Sequence, residues 1–276
     1  MSSKFHAKSA DAYERLMGRW SRRLARPFLD FAGLEAGERV LDVGCGTGSL
    51  TFTLPQVANV ARIDAIDYSD VYVEASRARN TDPRITIAQG DVCELPFEDR
   101  TFDRALALLV LHFVPESEQA LREMSRVTKA GGVVAAAVWD SFGGMPVQRM
   151  FWDTAAALDP SAAKIRGENY FKPLTRRGEM ETLWKKTGLR DVTETELAIR
   201  MDFDTFEDFW RPIANGESPL GKYVTGLDGG RLAAFERALR AAYEAGEPDG
   251  PRSFTATALA CRGIVPDGRH RQEGRP

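Results

Sequence analysis

The sequence predicts a doubly wound α/β fold, on three observations. Strand-like and helix-like segments alternate five times between residues 36 and 140; such alternation builds right-handed crossovers onto a parallel sheet. The segment 101–112, "TFDRALALLVLH", is almost continuously apolar, as a central strand covered on both faces must be. The first strand runs into three alternating glycines, "VLDVGCGTGSL" at 40–50, where a helical crossover is due to begin.

Each element follows from its own pattern. Residues 11–31 carry Tyr13, Leu16, Met17, Trp20, Leu24, Phe28 and Phe31 at helical spacing, and Pro27 is expected to divide them into two helices. "ERVLDVG" (38–44) is a short apolar strand; "SLTFTLPQVA" (49–58) reads as a helix that Pro55 shortens. "ARIDAID" (61–67) is the second strand, "YSDVYVEASRARN" (68–80) a helix and "RITIAQGD" (84–91) the third strand. After the apolar fourth strand, "ESEQALREMSRVTKAGG" (116–132) is a helix with Ala120, Met124 and Val127 inward and glycine at its end, followed by the strand "VVAAAVWD" (133–140). The rhythm then changes. "MPVQRMFWDTAAALD" (145–159) and "LTRRGEMETLWKKTGL" (174–189) read as helices, "RDVTETELAIRM" (190–201) alternates like a strand, and 204–246 is helical with a Leu232, Phe235, Leu239, Ala242 stripe. "RSFTATALACRGIV" (252–265) is a late strand; the tail 266–276 lacks apolar residues and is expected to be disordered.

Bulk properties narrow the function. The 276 residues are 43% hydrophobic and 28% charged, with net charge −3 and pI about 5.8, which gives no sign of the basic face a nucleic-acid binder needs. Cys45, Cys93 and Cys261 are too few and too scattered for a disulfide framework or a zinc site. The first residues are polar with no apolar signal core, and no run approaches the ~18 apolar residues of a membrane span. A cytoplasmic enzyme or binding protein is expected.

The glycines have a physical purpose in this setting. A strand entering a helix through glycines exposes backbone N–H groups and lets a ligand approach closely, at the carboxyl edge where open α/β sheets bind ligands. A plain turn is the weaker reading of three such glycines. Asp67, at the end of the second strand, can take both hydroxyls of a ribose. The spacing G-x-G-x-G departs from the G-x-G-x-x-G of dinucleotide sites, and Asp42 just ahead would repel a pyrophosphate while suiting an ammonium or sulfonium.

Together these segments resemble a known family. "VLDVGCGTGSL" is similar to motif I of class I S-adenosylmethionine-dependent methyltransferases, and "IDAIDYS", "GDVCELPFEDRTFDRALALLVLHFVPE" and "SRVTKAGGVV" continue the resemblance, in order and spacing, to the type 11 family that includes the ubiquinone-biosynthesis C-methyltransferases. The resemblance covers roughly residues 36–140, and residues 11–31 resemble that family's N-terminal cap helices. It implies a Rossmann-like seven-stranded sheet, mostly parallel with the last strand antiparallel. It implies a helical cap over 1–35, a cofactor-binding core over 36–140, and a lid plus final strands over 141–265 completing the same domain.

Carried over residue by residue, the resemblance implies S-adenosylmethionine as cofactor. Gly44, Gly46 and Gly48 would line its methionine and ribose, Asp42 would sit near the amino-acid end, and Asp67 would bind the ribose hydroxyls. Tyr68, Asp91 and Val92 would surround adenine, Ala107 and Leu108 would flank the methionine portion, and Tyr13 and Trp20 would close the pocket from the cap. No catalytic residue and no metal ligand is assigned. Cys45 receives no nucleophilic role, and His112 is read as structural rather than as a base. The acceptor is expected to be a small molecule enclosed by the cap and the segments 141–175 and 204–246, with no nucleic-acid partner. Two alternatives stay open: a non-catalytic binder of S-adenosylmethionine, and a nicotinamide-dependent oxidoreductase. The oligomeric state is not read.

Overall fold

The computed structural model describes residues 9–214 and 218–267. One seven-stranded sheet organises the chain: β1 (Arg39–Val43), β2 (Arg62–Asp67), β3 (Ile85–Gln89), β4 (Phe102–Leu108), β5 (Thr128–Trp139), β6 (Arg190–Phe203) and β7 (Arg252–Ile264). Their spatial order is β3-β2-β1-β4-β5-β7-β6. The pairs among β1 to β5 are parallel, and β7 is antiparallel to both β5 and β6. The strand order reverses between β1 and β4, and the edge beyond the carboxyl ends of these strands is the switch point where α/β sheets take ligands. The fold class expected from the sequence is the fold found.

The helices in chain order are α1 (Ala10–Tyr13), α2 (Arg19–Ala32), α3 (Leu54–Val57), α4 (Asp70–Arg79), α5 (Ser117–Val127), α6 (Pro146–Leu158), α7 (Ala162–Tyr170), α8 (Glu179–Lys186), α9 (Phe206–Ala214), α10 (Pro219–Thr225) and α11 (Gly229–Glu244). Strand alternation feeds two cores, one on each face. Leu106 and Leu108 join the α2 side with Trp20, Leu24 and Phe28, whereas Ala105 and Ala107 face α5 and its Ala120, Leu121, Met124 and Val127.

Four details differ from the sequence reading. Pro27 does not divide the N-terminal helix; α2 runs through it, and the irregular turn lies earlier, as a π-helical stretch at Glu14–Gly18. Trp20, Leu24 and Phe28, all at most 2% exposed, pin α2 to the core; burial worth ~1.5–3 kcal/mol per large apolar side chain offsets the ~3 kcal/mol a helical proline costs. After the glycines the chain makes a run of turns before a helix of one turn at α3, with Pro55 in its first turn where a missing N–H costs nothing. Gly131 and Gly132 do not end α5: Val127 does, and both glycines lie in β5, where a side chain on Gly132 would strike the Asp103 carbonyl. The short helix α7 had no legible periodicity. The expected disordered tail falls almost wholly outside the described residues.

Candidate functional site: a strand-end cavity

A cavity of about 340 Å³ opens at the carboxyl ends of β1, β2 and β4. The glycine loop forms its floor. Gly44, Gly46 and Gly48 all have positive φ (69°, 54° and 90°), a backbone that residues with a Cβ adopt at a cost of ~1–2 kcal/mol. A Cβ on Gly44 would clash with Val110, whereas a Cβ on Gly46 would meet no atom within 4 Å. Gly46 therefore presents bare backbone to open space. The loop is held by Cys45 N donating to Ile66 O (2.9 Å), Gly46 N donating to Asp67 Oδ2 (2.8 Å) and Ser76 Oγ donating to Gly46 O (2.7 Å).

The strand-end carboxylates have different environments. Asp42 is 1% exposed; Thr51 Oγ1 donates to its Oδ2 at 2.5 Å, and its Oδ1 is buried with no partner. Burial, reinforced by the charge of Asp67, pushes its carboxyl up to about 7. Asp67 also sits above the usual carboxylate range because it is buried, although the Ser69 and Gly46 amides that donate to it oppose the shift. Asp91 lies at the rim, accepts from Cys93 N (2.9 Å) and forms a one-residue bridge with Glu94. It thus both caps a turn and lines the cavity.

The cap closes one side. Tyr13 packs on Tyr72 with ring centroids 5.4 Å apart, and its hydroxyl lies 3.2 Å from Ser21 Oγ; burial raises its pKa. Glu14 ties the cap to the glycine loop by accepting from Thr47 Oγ1 and pairing with Arg22 and Arg79 (3.4 Å to the latter), while Arg79 donates to Thr47 O at 3.0 Å. Burial raises the Glu14 carboxyl, but the Thr47 and Arg22 hydrogen bonds outweigh it and the net shift is downward. At the end of β4, Leu109 holds φ +64°, an uncommon conformation for a side-chain-bearing residue and a frequent mark of a binding site. It turns the chain so that His112 and Phe113 enter the cavity wall.

Of the residues singled out in the sequence, Tyr13, Asp42, Gly44, Gly46, Asp67, Tyr68, Asp91, Val92 and Leu108 line this cavity. Three do not. Trp20 is buried against Phe203 (centroids 5.3 Å apart) and Arg19, where it anchors the cap instead of closing the pocket. Gly48 faces the Phe52 ring, so it serves the turn rather than the ligand. Ala107 points to the opposite sheet face because side chains alternate along β4 and Leu108 takes the cavity side. Burial raises the Cys45 thiol well above its usual range, which leaves it without thiolate character. Asp140 accepts from Phe142 N and Gly143 N, both at 3.0 Å, and so caps the turn after β5. Sequence reasoning missed Glu14, Thr47 and Leu109, for which no local signal exists; Tyr72, four residues after Tyr68 on the start of α4, had a helical-spacing signal that went unused.

The cavity fits a cationic adenosine cofactor on its own evidence. Asp42 Oδ1, Ser49 Oγ, His112 Nδ1 and Trp139 Nε1 are buried without hydrogen-bond partners among the described residues, and all four residues line it. Unpartnered buried polar atoms are rare and costly, and their convergence marks a ligand's place. Among the described residues, no group of three or more His, Cys, Asp or Glu is placed to hold a metal ion.

The fold and this cradle define a Rossmann-like α/β protein that binds an adenosine-containing cofactor. Residues 41–136 match the family described as "Methyltransferase domain". The chain is 32% identical over 180 residues to a demethylmenaquinone methyltransferase of Lactobacillus johnsonii, covering 60% of this chain and 73% of that one. It is 35% identical over 117 residues to the Staphylococcus aureus protein of the same name, covering 42% and 47%. The fold matches a solved structure of Haemonchus contortus phosphoethanolamine N-methyltransferase 2 in complex with S-adenosyl-L-methionine, with TM-score 0.58, 17% identity, and 94% and 57% of the two chains covered. The chain belongs to the class I S-adenosylmethionine-dependent methyltransferases. It is a methyltransferase, and S-adenosylmethionine is its cofactor.

Proposed function

We propose that this enzyme methylates a small-molecule acceptor held in the strand-end cavity between the cap and the lid. The carrying observation is the convergence of unpartnered buried polar atoms on one cavity whose cover comes from the cap (Tyr13, Met17) and from lid positions such as Gln148, Asn169 and Leu220. The methyltransferases it resembles in sequence are named for demethylmenaquinone, also a small molecule. A pocket of about 340 Å³ with residues of the cap and the lid in its wall suits such an acceptor better than a polymer, and no helix among the described residues is long and apolar enough to cross a membrane.

In this reading Asp67 accepts from the ribose hydroxyls while its contact to Gly46 N keeps the glycine loop in shape. Asp42 faces the cationic methionine end, and Tyr68, Asp91 and Val92 surround the adenine. Bound there, the cofactor supplies an already activated methyl group. The protein's task is orientation, which can lower a barrier by roughly 7–11 kcal/mol, and exclusion of water by the cap and lid. His112 stays neutral: burial, with Lys172 nearby, lowers it to about 3. A nearly uncharged, weakly basic imidazole is a poor general base at neutral pH, in keeping with a positioning role. Incubation with S-adenosylmethionine and a metabolite panel, read as S-adenosylhomocysteine release, tests the proposal. Turnover with one small acceptor is expected; binding of the cofactor without turnover on any acceptor would favour a non-catalytic binder.

A further inference from the structure

The charges lining the cavity are segregated. Among the described residues, the acids that line it, Asp42, Asp67 and Asp91, come from the ends of β1, β2 and β3, whereas the lysines that line it come from the lid: Lys172 after α7 and Lys222 on α10. Lys222 is exposed at the rim. Lys172 is not: it is partly buried, and burial lowers its pKa. It has no carboxylate partner among the described residues, and its Nζ lies 4.9 Å from the centroid of the Phe113 ring. His112 flanks the same ring, with centroids 3.9 Å apart, and is 8% exposed with Nδ1 unpartnered. A desolvated ammonium without a counter-charge is costly, and a ligand anion beside it would remove that cost. The acids suit the cationic cofactor; among the described residues the lid half contributes no carboxylate to the lining, only neutral side chains and the two lysines.

Resting on the function proposed above, we infer that the methyl acceptor carries an anionic oxygen group, carboxylate, phosphate or phenolate, seated against Lys172 Nζ and within reach of His112. Lys172 is then the acceptor-binding residue that sets substrate class, with His112 as a neutral hydrogen-bonding partner to the same group.

The probes are benzoate, phenyl phosphate, 4-nitrophenol, benzamide and benzylamine, titrated into wild-type protein saturated with S-adenosylhomocysteine. The expected result is binding of one or more of the anionic probes at least tenfold tighter than benzamide, with benzylamine weakest. Which of the first three binds best identifies the oxygen group, since 4-nitrophenol ionises near neutral pH, where Lys172 still carries its charge. Lys172→Met should cut binding of the anionic probe about 10- to 100-fold, the range expected for losing one charge-assisted hydrogen bond. Lys172→Arg should recover most of the loss, and S-adenosylhomocysteine affinity should stay within about twofold in both variants. Equal binding of anionic, neutral and cationic probes to the loaded wild type would overturn the inference without any variant. An unchanged anion affinity in a folded Lys172→Met would do the same. If S-adenosylhomocysteine itself does not bind the wild type, the underlying function fails first and this inference falls with it.

Discussion

The strand-end half of the cavity and its lid half are built by different forces. On the strand side, short hydrogen bonds and backbone conformation do the positioning: Gly46 N to Asp67, Thr51 to Asp42, and glycines at positive φ. On the lid side, aromatic packing does it. Phe151 and Trp152 on α6, Phe206 and Phe209 on α9, and Phe235 and Tyr243 on α11 are nearly or fully buried against one another, with centroids 5.0–5.9 Å apart for pairs such as Phe151–Phe235 and Phe206–Phe209. None of these rings lines the cavity; polar residues do, such as Gln148, Asn169 and Lys172. A half defined by hydrogen bonds can hold one cofactor tightly, while a half held up by its own apolar core can change its cavity-facing residues without losing support.

The comparison breaks most visibly at Phe151. Truncation to Ala at a fully buried site should cost about 3–5 kcal/mol of stability, measured by urea unfolding, while S-adenosylhomocysteine affinity of the folded fraction changes by less than about threefold. A parallel collapse of cofactor affinity would show that the halves are one unit. On the other side, Asp67→Ala should leave stability near wild type but weaken cofactor binding by about 100-fold or more, since two charge-assisted hydrogen bonds and the loop anchor are lost together. Asp91→Ala should cost only about tenfold; equal losses by calorimetry would contradict the ranking.

Asp42 sharpens the comparison through pH. Its folded pKa, about 7, lies above its ordinary 3.8, so between those values the folded state holds more protons than the unfolded state. Stability of the free protein should therefore fall as pH rises through about 4–7, by up to ~1.4 kcal/mol per unit, and level off above. Asp42→Asn should remove that slope. A cation bound beside Asp42 lowers its pKa again, so cofactor binding near pH 6 should release part of a proton, seen as a buffer-dependent binding enthalpy; proton uptake would place the cation elsewhere. The smallest effect belongs to the cap latch. Glu14 is partly exposed and its ion pairs are solvent-screened, so Glu14→Gln should weaken cofactor binding only about two- to fivefold, mainly through faster dissociation in stopped-flow displacement.

The sequence by itself determined the strand–helix alternation, the glycine cradle and the carboxylates Asp42 and Asp67, because each depends on neighbours a few residues away: a side-chain period, a positive φ, a strand end. It could not decide which face of β4 meets the cavity, so Ala107 and Leu108 looked equivalent until the sheet's two cores were in place. Nor could it separate Trp20 from Tyr13, both on the cap's apolar stripe. Trp20 is claimed by Phe203 and by the Arg19–Asp208 pair, 3.0 Å across 189 residues of sequence, whereas Tyr13 is left to Tyr72 and the cavity. Periodicity shows that a face is buried, not what buries it. The lid's inward-packed aromatics, the placing of Lys172 over the Phe113 ring and the strained turn at Leu109 are outcomes of such long-range contacts, and only the tertiary structure decided them.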